Sequence, residues 1–179
     1  GNTVDQTYWT STGETPPSWS SATITPADLT ALGTLARASG WKVILGVNLK
    51  QYDPARAGDE AAHAEAALGS SLQAIEIGNE PDLYPQYSGN TAKYLTDFKA
   101  YVAAVNKAAP GVPIEGSDAA GAPGGTFQNA FVAAHPAVTE LTSHYYPLTS
   151  STCGGSPTVA ELLGQGVRDA ETGVAAAAV

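Results

Sequence analysis

The sequence predicts an α/β fold in which helices cover a parallel sheet, arranged as part of a (β/α)8 barrel. Two observations carry this. Four apolar β-type runs alternate with helical segments, and parallel neighbours require such crossovers. Each run also ends in polar residues: Asn48, then Asn79-Glu80, then Asp118, then His144-Tyr145-Tyr146. A doubly wound sheet places its site at the same edge, but polar groups from every successive strand end are what a barrel mouth collects.

The elements follow in order. Thr25-Pro26-Ala27-Asp28 opens a helix, with Thr25 as N-cap, Pro26 where no hydrogen bond is lost and Asp28 near the positive end of the dipole. Leu29, Leu32 and Leu35 recur at helical spacing until Gly40 supplies a stop. Trp41 to Leu49 is the first β run, rich in branched apolar residues. An Ala-rich helix from Pro54 to Leu68 leads to the second β run, Leu72 to Glu80. Asn90 can cap the third helix, whose stripe is Tyr94, Leu95, Phe98, Tyr101, Val102 and Val105 and whose end is Pro110-Gly111. Val112 to Ser117 is the third β run. A Gly/Pro loop from Gly121 to Gly125, a short helix over Thr126 to Ala134, a strand from Val138 to Tyr146 and a helix over Thr158 to Ala170 complete the chain. Residues 1–179 read as one partial barrel domain.

Composition narrows the function. The 8 Lys+Arg stand against 17 Asp+Glu, a net charge of −9, which argues against a nucleic-acid partner, since phosphate backbones need clustered cations. No run reaches the roughly 18 apolar residues of a membrane span. A single Cys153 leaves no intrachain disulfide to form. His63, His135 and His144 show no metal spacing, and nothing calls for a cofactor.

The sharpest stretch is Ile75-Glu76-Ile77-Gly78-Asn79-Glu80-Pro81. Strand alternation places Glu76, Gly78 and Glu80 on one face, and Pro81 cannot continue a central ladder, so Glu80 becomes the last side chain at the mouth. A carboxyl there can serve as a general acid when its surroundings keep it protonated. Glu76, deeper on the same face, reads as a hydrogen-bonded interior carboxyl. His144, at a strand end, fits shaping the pocket and simple packing equally. Tyr8, Trp9, Trp19, Tyr52, Tyr84 and Tyr87 follow strand ends, where sugar rings can stack.

Gly78-Asn79-Glu80-Pro81 at the end of a βα strand resembles the acid/base signature of the clan A retaining glycoside hydrolases, and the longer reading resembles glycoside hydrolase family 79, the β-glucuronidase and heparanase group. Gly1-Asn2-Thr3-Val4-Asp5 resembles the loop after that family's second barrel strand and Ile44 to Leu49 its third strand. Glu115-Gly116-Ser117-Asp118 and Ser143-His144-Tyr145-Tyr146 resemble the ends of its fifth and sixth strands. The resemblance implies that Glu80 is the acid/base, that Asn79 hydrogen-bonds the sugar 2-hydroxyl, and that Asp5 binds hydroxyls where the bond is cut. It implies that Tyr145, or Tyr146 beside it, orients the nucleophile, and that Asp118 and Asn48 bind hydroxyls or support those that do.

The family's nucleophile is a Glu ending the seventh strand; Glu161 and Glu171 lie in a helical region instead. Asp118 as the second carboxylate would break the family pattern. With no Met in the chain and ~250 residues in a typical barrel, the sequence reads as strands three to six, the remaining strands and a C-terminal β-sandwich being partners from the same parent chain. The implied substrate is a terminal β-glucuronide and the implied location secreted or periplasmic, although no signal peptide is present. The rival expectation is a non-catalytic carbohydrate-binding remnant or an inactive barrel fragment.

Overall fold

A computed structural model describes residues 2–121, 125–134, 136–144, 146 and 148–169. Among them lie strands β1 (Thr7–Trp9), β2 (Ala22–Ile24), β3 (Val43–Val47), β4 (Leu72–Ile77), β5 (Ile114–Ala119) and β6 (Glu140–Ser143). The α-helices are α1 (Pro26–Ser39), α2 (Pro54–Leu68), α3 (Thr91–Ala108), α4 (Thr126–Ala133) and α5 (Val159–Leu162). Both sheets are parallel: β1 pairs with β2, and the larger sheet runs β3-β4-β5-β6 in chain order. The α/β class with parallel strands and helical crossovers is therefore what the chain forms.

One apolar cluster joins the helices to one face of the larger sheet. Val47, Ile75, Ile77 and Ile114 meet Leu29 of α1, Leu68 of α2, Tyr94, Phe98, Tyr101 and Val105 of α3, and Phe131 of α4. Gly116 lies under this layer, where a Cβ would stand 2.9 Å from Phe131 and 3.0 Å from Phe98. Alternation then sends Glu76 and Glu115 to the opposite face. Register places Glu76 beside Glu115 and Glu115 beside Glu140, so three carboxyls form one row across β4, β5 and β6.

The caps follow the sequence. The Thr25 backbone N–H and hydroxyl both donate to Asp28 Oδ2, at 2.8 and 2.7 Å. Asn90 Oδ1 accepts from the Lys93 N–H at 3.1 Å, and Gly40 closes α1 in the left-handed region at φ 72°.

Several expectations need correction. In α1 the buried positions are Leu29, Gly33 and Ala36, while Leu35 is 54% exposed, because steps of four and three residues hold one face and a further step of three from Leu32 has rotated off it. The second β run stops at Ile77, since Gly78 (φ 90°) and Glu80 (φ 52°) turn the chain out of the ladder. Strand alternation therefore does not govern where Glu80 points. β5 extends through Asp118 to Ala119, past the expected Ser117. α5 ends at Leu162, and the helical turn resumes only at 165–169 after the break at Gly164. β1 and β2, three residues each, are too short to show a period of two.

Candidate active site

The C-terminal ends of β4, β5 and β6 bring three titratable side chains together. Glu80 and Asp118 are the only non-glycine residues with positive φ among those described, at 52° and 51°. Such conformations cost roughly 1–3 kcal/mol and persist where surrounding structure dictates them. Here the two strained residues brace each other, the Glu80 N–H donating to the Asp118 carbonyl at 2.9 Å. The Asp118 N–H in turn donates to Thr142 Oγ1 at 3.2 Å, which ties β5 to β6.

His144, one residue past β6, bridges the two carboxyls. Its Nδ1 lies 2.5 Å from Glu80 Oε1 and its Nε2 3.0 Å from Asp118 Oδ1. An imidazolium there donates to both; a neutral ring donates to one. Asp118 is buried, at 3% exposure, and burial pushes its carboxyl above the usual aspartate range while the imidazole opposes the shift. Behind it stands Glu76, raised to about 7 first by burial and then by the neighbouring Asp118 charge. Glu80 keeps a partly open side chain, and the exposed Tyr146 hydroxyl lies 3.4 Å from its Oε1.

A second group of contacts fixes the segment that carries Glu80. Gly78 is required by its φ of 90° and by Leu49, whose side chain would stand 3.0 Å from a Cβ. The buried Tyr84 hydroxyl donates to Asp5 Oδ1 and accepts from the Asn79 N–H at 3.0 Å. Asp5, in the 3-10 turn Asn2–Gln6, is buried and also faces Lys50 Nζ at 3.7 Å. Burial raises its carboxyl, against the opposing pull of Tyr84 and Lys50. Asp82 accepts from the Ala120 and Gly121 N–H groups at 2.9 and 3.0 Å, which anchors the chain leaving β5.

Of the residues singled out in the sequence, Glu80 and Asp118 meet through His144, and Asp5 and Asn79 meet through Tyr84. Asn48 does not join either group. Its Nδ2 donates to the Thr7 carbonyl at 3.1 Å and its Oδ1 accepts from the Gln51 N–H at 3.1 Å, so its amide ties loops together. Tyr145 lies outside the described residues. Sequence reasoning gave no definite role to His144, Tyr84 or Asp82. The signal for His144 was its place at a strand end, whereas the contacts of Tyr84 and Asp82 depend on how the turn after Glu80 folds back.

Among the described residues no cluster of His, Cys, Asp and Glu could hold a metal, and no helix is long and apolar enough to cross a membrane. No protein-family model and no curated protein matches the chain. A solved structure does: a 4-O-α-L-rhamnosyl-β-D-glucuronidase from Fusarium oxysporum 12S, in complex with Rha-GlcA, at 24% identity and a TM-score of 0.66. Part of a glucuronidase shares this fold. The match takes in 99% of this chain and 42% of that one, so the chain spans less than half the length of its structural neighbour.

Proposed function

We propose that the chain is the central part of a (β/α)8-barrel glycoside hydrolase of the family 79 kind, acting on β-glucuronides, with Glu80 as general acid/base. The observation that carries this reading is the Glu80–His144–Asp118 bridge at the C-terminal ends of adjacent parallel strands, where barrel enzymes hold their chemistry. The likeness in fold to a glucuronidase and the Gly78-Asn79-Glu80-Pro81 motif support it. On this reading β3 to β6 are the third to sixth barrel strands, and the row of Glu76, Glu115 and Glu140 faces the barrel interior.

In the acid form Glu80 gives its proton to the glycosidic oxygen as the bond to the anomeric carbon breaks. In the second half-reaction it takes a proton from the attacking water. His144 is placed to exchange that proton with Glu80 and to hold the carboxyl in one orientation. Asp118 holds the far side of the ring, and on this reading Asp5 and Asn79 bind substrate hydroxyls beside the scissile bond. A retaining mechanism needs a nucleophilic carboxylate ~5–5.5 Å from the acid. The proposal assigns that role to a Glu outside this chain, so that this chain alone is inactive. A uronic carboxylate beside Asp5 would have Lys50 close by, its Nζ 3.7 Å from Asp5 Oδ2.

The test compares Glu80 with Glu80→Gln in the barrel-complete protein on aryl β-glucuronides of graded leaving-group ability. Hydrolysis with a poor leaving group should fall by about 10²–10⁴-fold, and an activated nitrophenol should be much less affected. Equal losses on both substrates, or no loss, would remove Glu80 from the acid role.

A further inference from the structure

A cavity of about 330 Å³ lies between the β1–β2 pair, the segment after β3 and the first turns of α2, and neither Glu80, Asp118 nor His144 lines it. Its walls include Tyr8, Trp9, Trp19, Tyr52, Arg56 and Glu60. The rings are held in place. Trp9 Nε1 donates to Asp59 Oδ2 at 2.6 Å, the Tyr8 hydroxyl donates to Glu14 Oε2 at 2.8 Å, and Trp19 meets Tyr8 edge-on at 5.9 Å. Tyr52 keeps 51% of its surface exposed and Trp19 is half-buried, so both remain open to a ligand.

The charges around the cavity already answer one another. Arg56 lies 4.3 Å from the centroid of the Tyr8 ring and donates to Glu14 at 3.0 Å, to Asp53 at 3.2 Å and to the Trp9 carbonyl at 2.8 Å. Glu60 is different. It is only 5% exposed, yet its carboxyl makes no hydrogen bond to any described residue. The carboxyl lines the cavity, so its hydrogen-bonding capacity is open to a ligand there. Burial, and then the neighbouring Asp59 charge, raises Glu60 to about 8, so near neutral pH it offers both an O–H donor and an acceptor. Asp53 and Arg56, already paired with each other, both line the cavity, so an anion would meet Asp53 and a cation Arg56. An uncharged polyol meets neither penalty.

We infer that this cavity is a second carbohydrate site, which takes one uncharged pyranose unit, packed against Trp19 and Tyr52 and hydrogen-bonded to Glu60. Its volume is in the range of small-molecule sites, and aromatic walls with a few placed polar groups are their usual lining.

The test uses the intrinsic fluorescence of the full chain, since two of its three tryptophans, Trp9 and Trp19, line the cavity. Titration with methyl β-D-glucopyranoside should give a saturable change. Methyl β-D-glucopyranosiduronate and choline should bind about tenfold more weakly or worse. Tyr52→Ala, on an exposed ring, and Glu60→Ala should each weaken the glucoside by about tenfold, while Glu60→Gln, which keeps a neutral donor and acceptor, should stay within about threefold of the wild type. The inference is overturned by an unsaturable response, by a preference for the glucuronide or choline, or by wild-type affinity in Tyr52→Ala. Displacement of the glucoside by the glucuronide at equal concentration would also overturn it, because the sugar would then sit at the Glu80 centre. Loss of the Glu80 activity alone would leave this titration unchanged.

Discussion

His144 is the residue on which the site turns. Glu80 and Asp118 stand on different strand ends, each in a left-handed conformation that residues other than glycine seldom adopt, and the imidazole spans them at 2.5 and 3.0 Å. Without the ring, Glu80 keeps its backbone tie to Asp118 but loses the imidazole contact to its carboxyl, which on the proposed reading orients that group and exchanges its proton. If the proposed function holds, His144→Gly in the barrel-complete protein should lower kcat by about 10–100-fold on poor leaving groups, with KM changed far less. Imidazole added to the buffer should restore part of the loss. A purely structural role predicts no rescue, so steady-state kinetics with and without imidazole decide between the two. Tyr84 carries a second residue-scale prediction. Tyr84→Phe removes, in a buried setting, both the donor to Asp5 Oδ1 and the acceptor of the Asn79 N–H. It should cost about 1–3 kcal/mol in urea unfolding, a loss that an exposed tyrosine such as Tyr146, changed to Phe, should not show.

At the scale of elements, small residues set how closely the helices approach. α2 packs between α1 and α3, and Gly58 of α2 faces the backbone of α3, where a Cβ would stand 3.0 Å from the Ala104 carbonyl oxygen. Gly33 of α1 lies still closer to α2, its missing Cβ colliding with the Ala67 carbonyl, which also accepts from Arg37 at 2.7 Å. On helix propensity alone Gly33→Ala should gain about 1 kcal/mol. The collision is with backbone, which cannot swing aside, so overpacking should win with a net loss of about 1–3 kcal/mol, read as a lower urea midpoint at unchanged slope. Neither glycine stood out in the sequence, because close approach between helices leaves no periodic mark. The longer elements were legible: Thr25 with Asp28 and Asn90 with Tyr94, Phe98 and Tyr101 state their helices through caps and a stripe. The ends of the strands were not, since Gly78 and Glu80 leave the ladder through backbone angles that no alternation of side chains encodes. For the same reason Glu80, Asn79, Asp118 and His144 could be picked out at strand ends and Asp5 through the family resemblance, whereas the contacts that His144 and Tyr84 make between them needed the fold.

For the molecule as a whole, the balance of protons departs from the usual pattern for a carboxylate-rich chain. Glu60 is raised to about 8, and Glu76 and Glu115 to about 7, in each case chiefly because burial disfavours the charged form. Two of the three stand side by side in the carboxyl row across β4 and β5, where Asp118 adds to the shift of both. Their ordinary value is 4.5, so between that pH and about 7 to 8 the folded chain holds protons that the unfolded chain has released. Stability therefore falls as pH rises across this window, and the stabilisation is fully present only below it. Exposed Glu14 and Asp28, whose carboxyls are lowered, act in the opposite sense but only in more acidic solution. The folded chain near neutrality is accordingly less negative than the −9 of its formal composition. Thermal unfolding followed by circular dichroism should give a Tm at about pH 8.5 lower than at about pH 5 by about 5 °C or more. Glu60→Gln should flatten part of that slope and unfold at a higher temperature than the wild type on the alkaline side. A Tm that rises from about pH 5 to about pH 8.5 would mean that these carboxyls are ionised in the fold. The row would then need compensating cations close to Glu76 and Glu115.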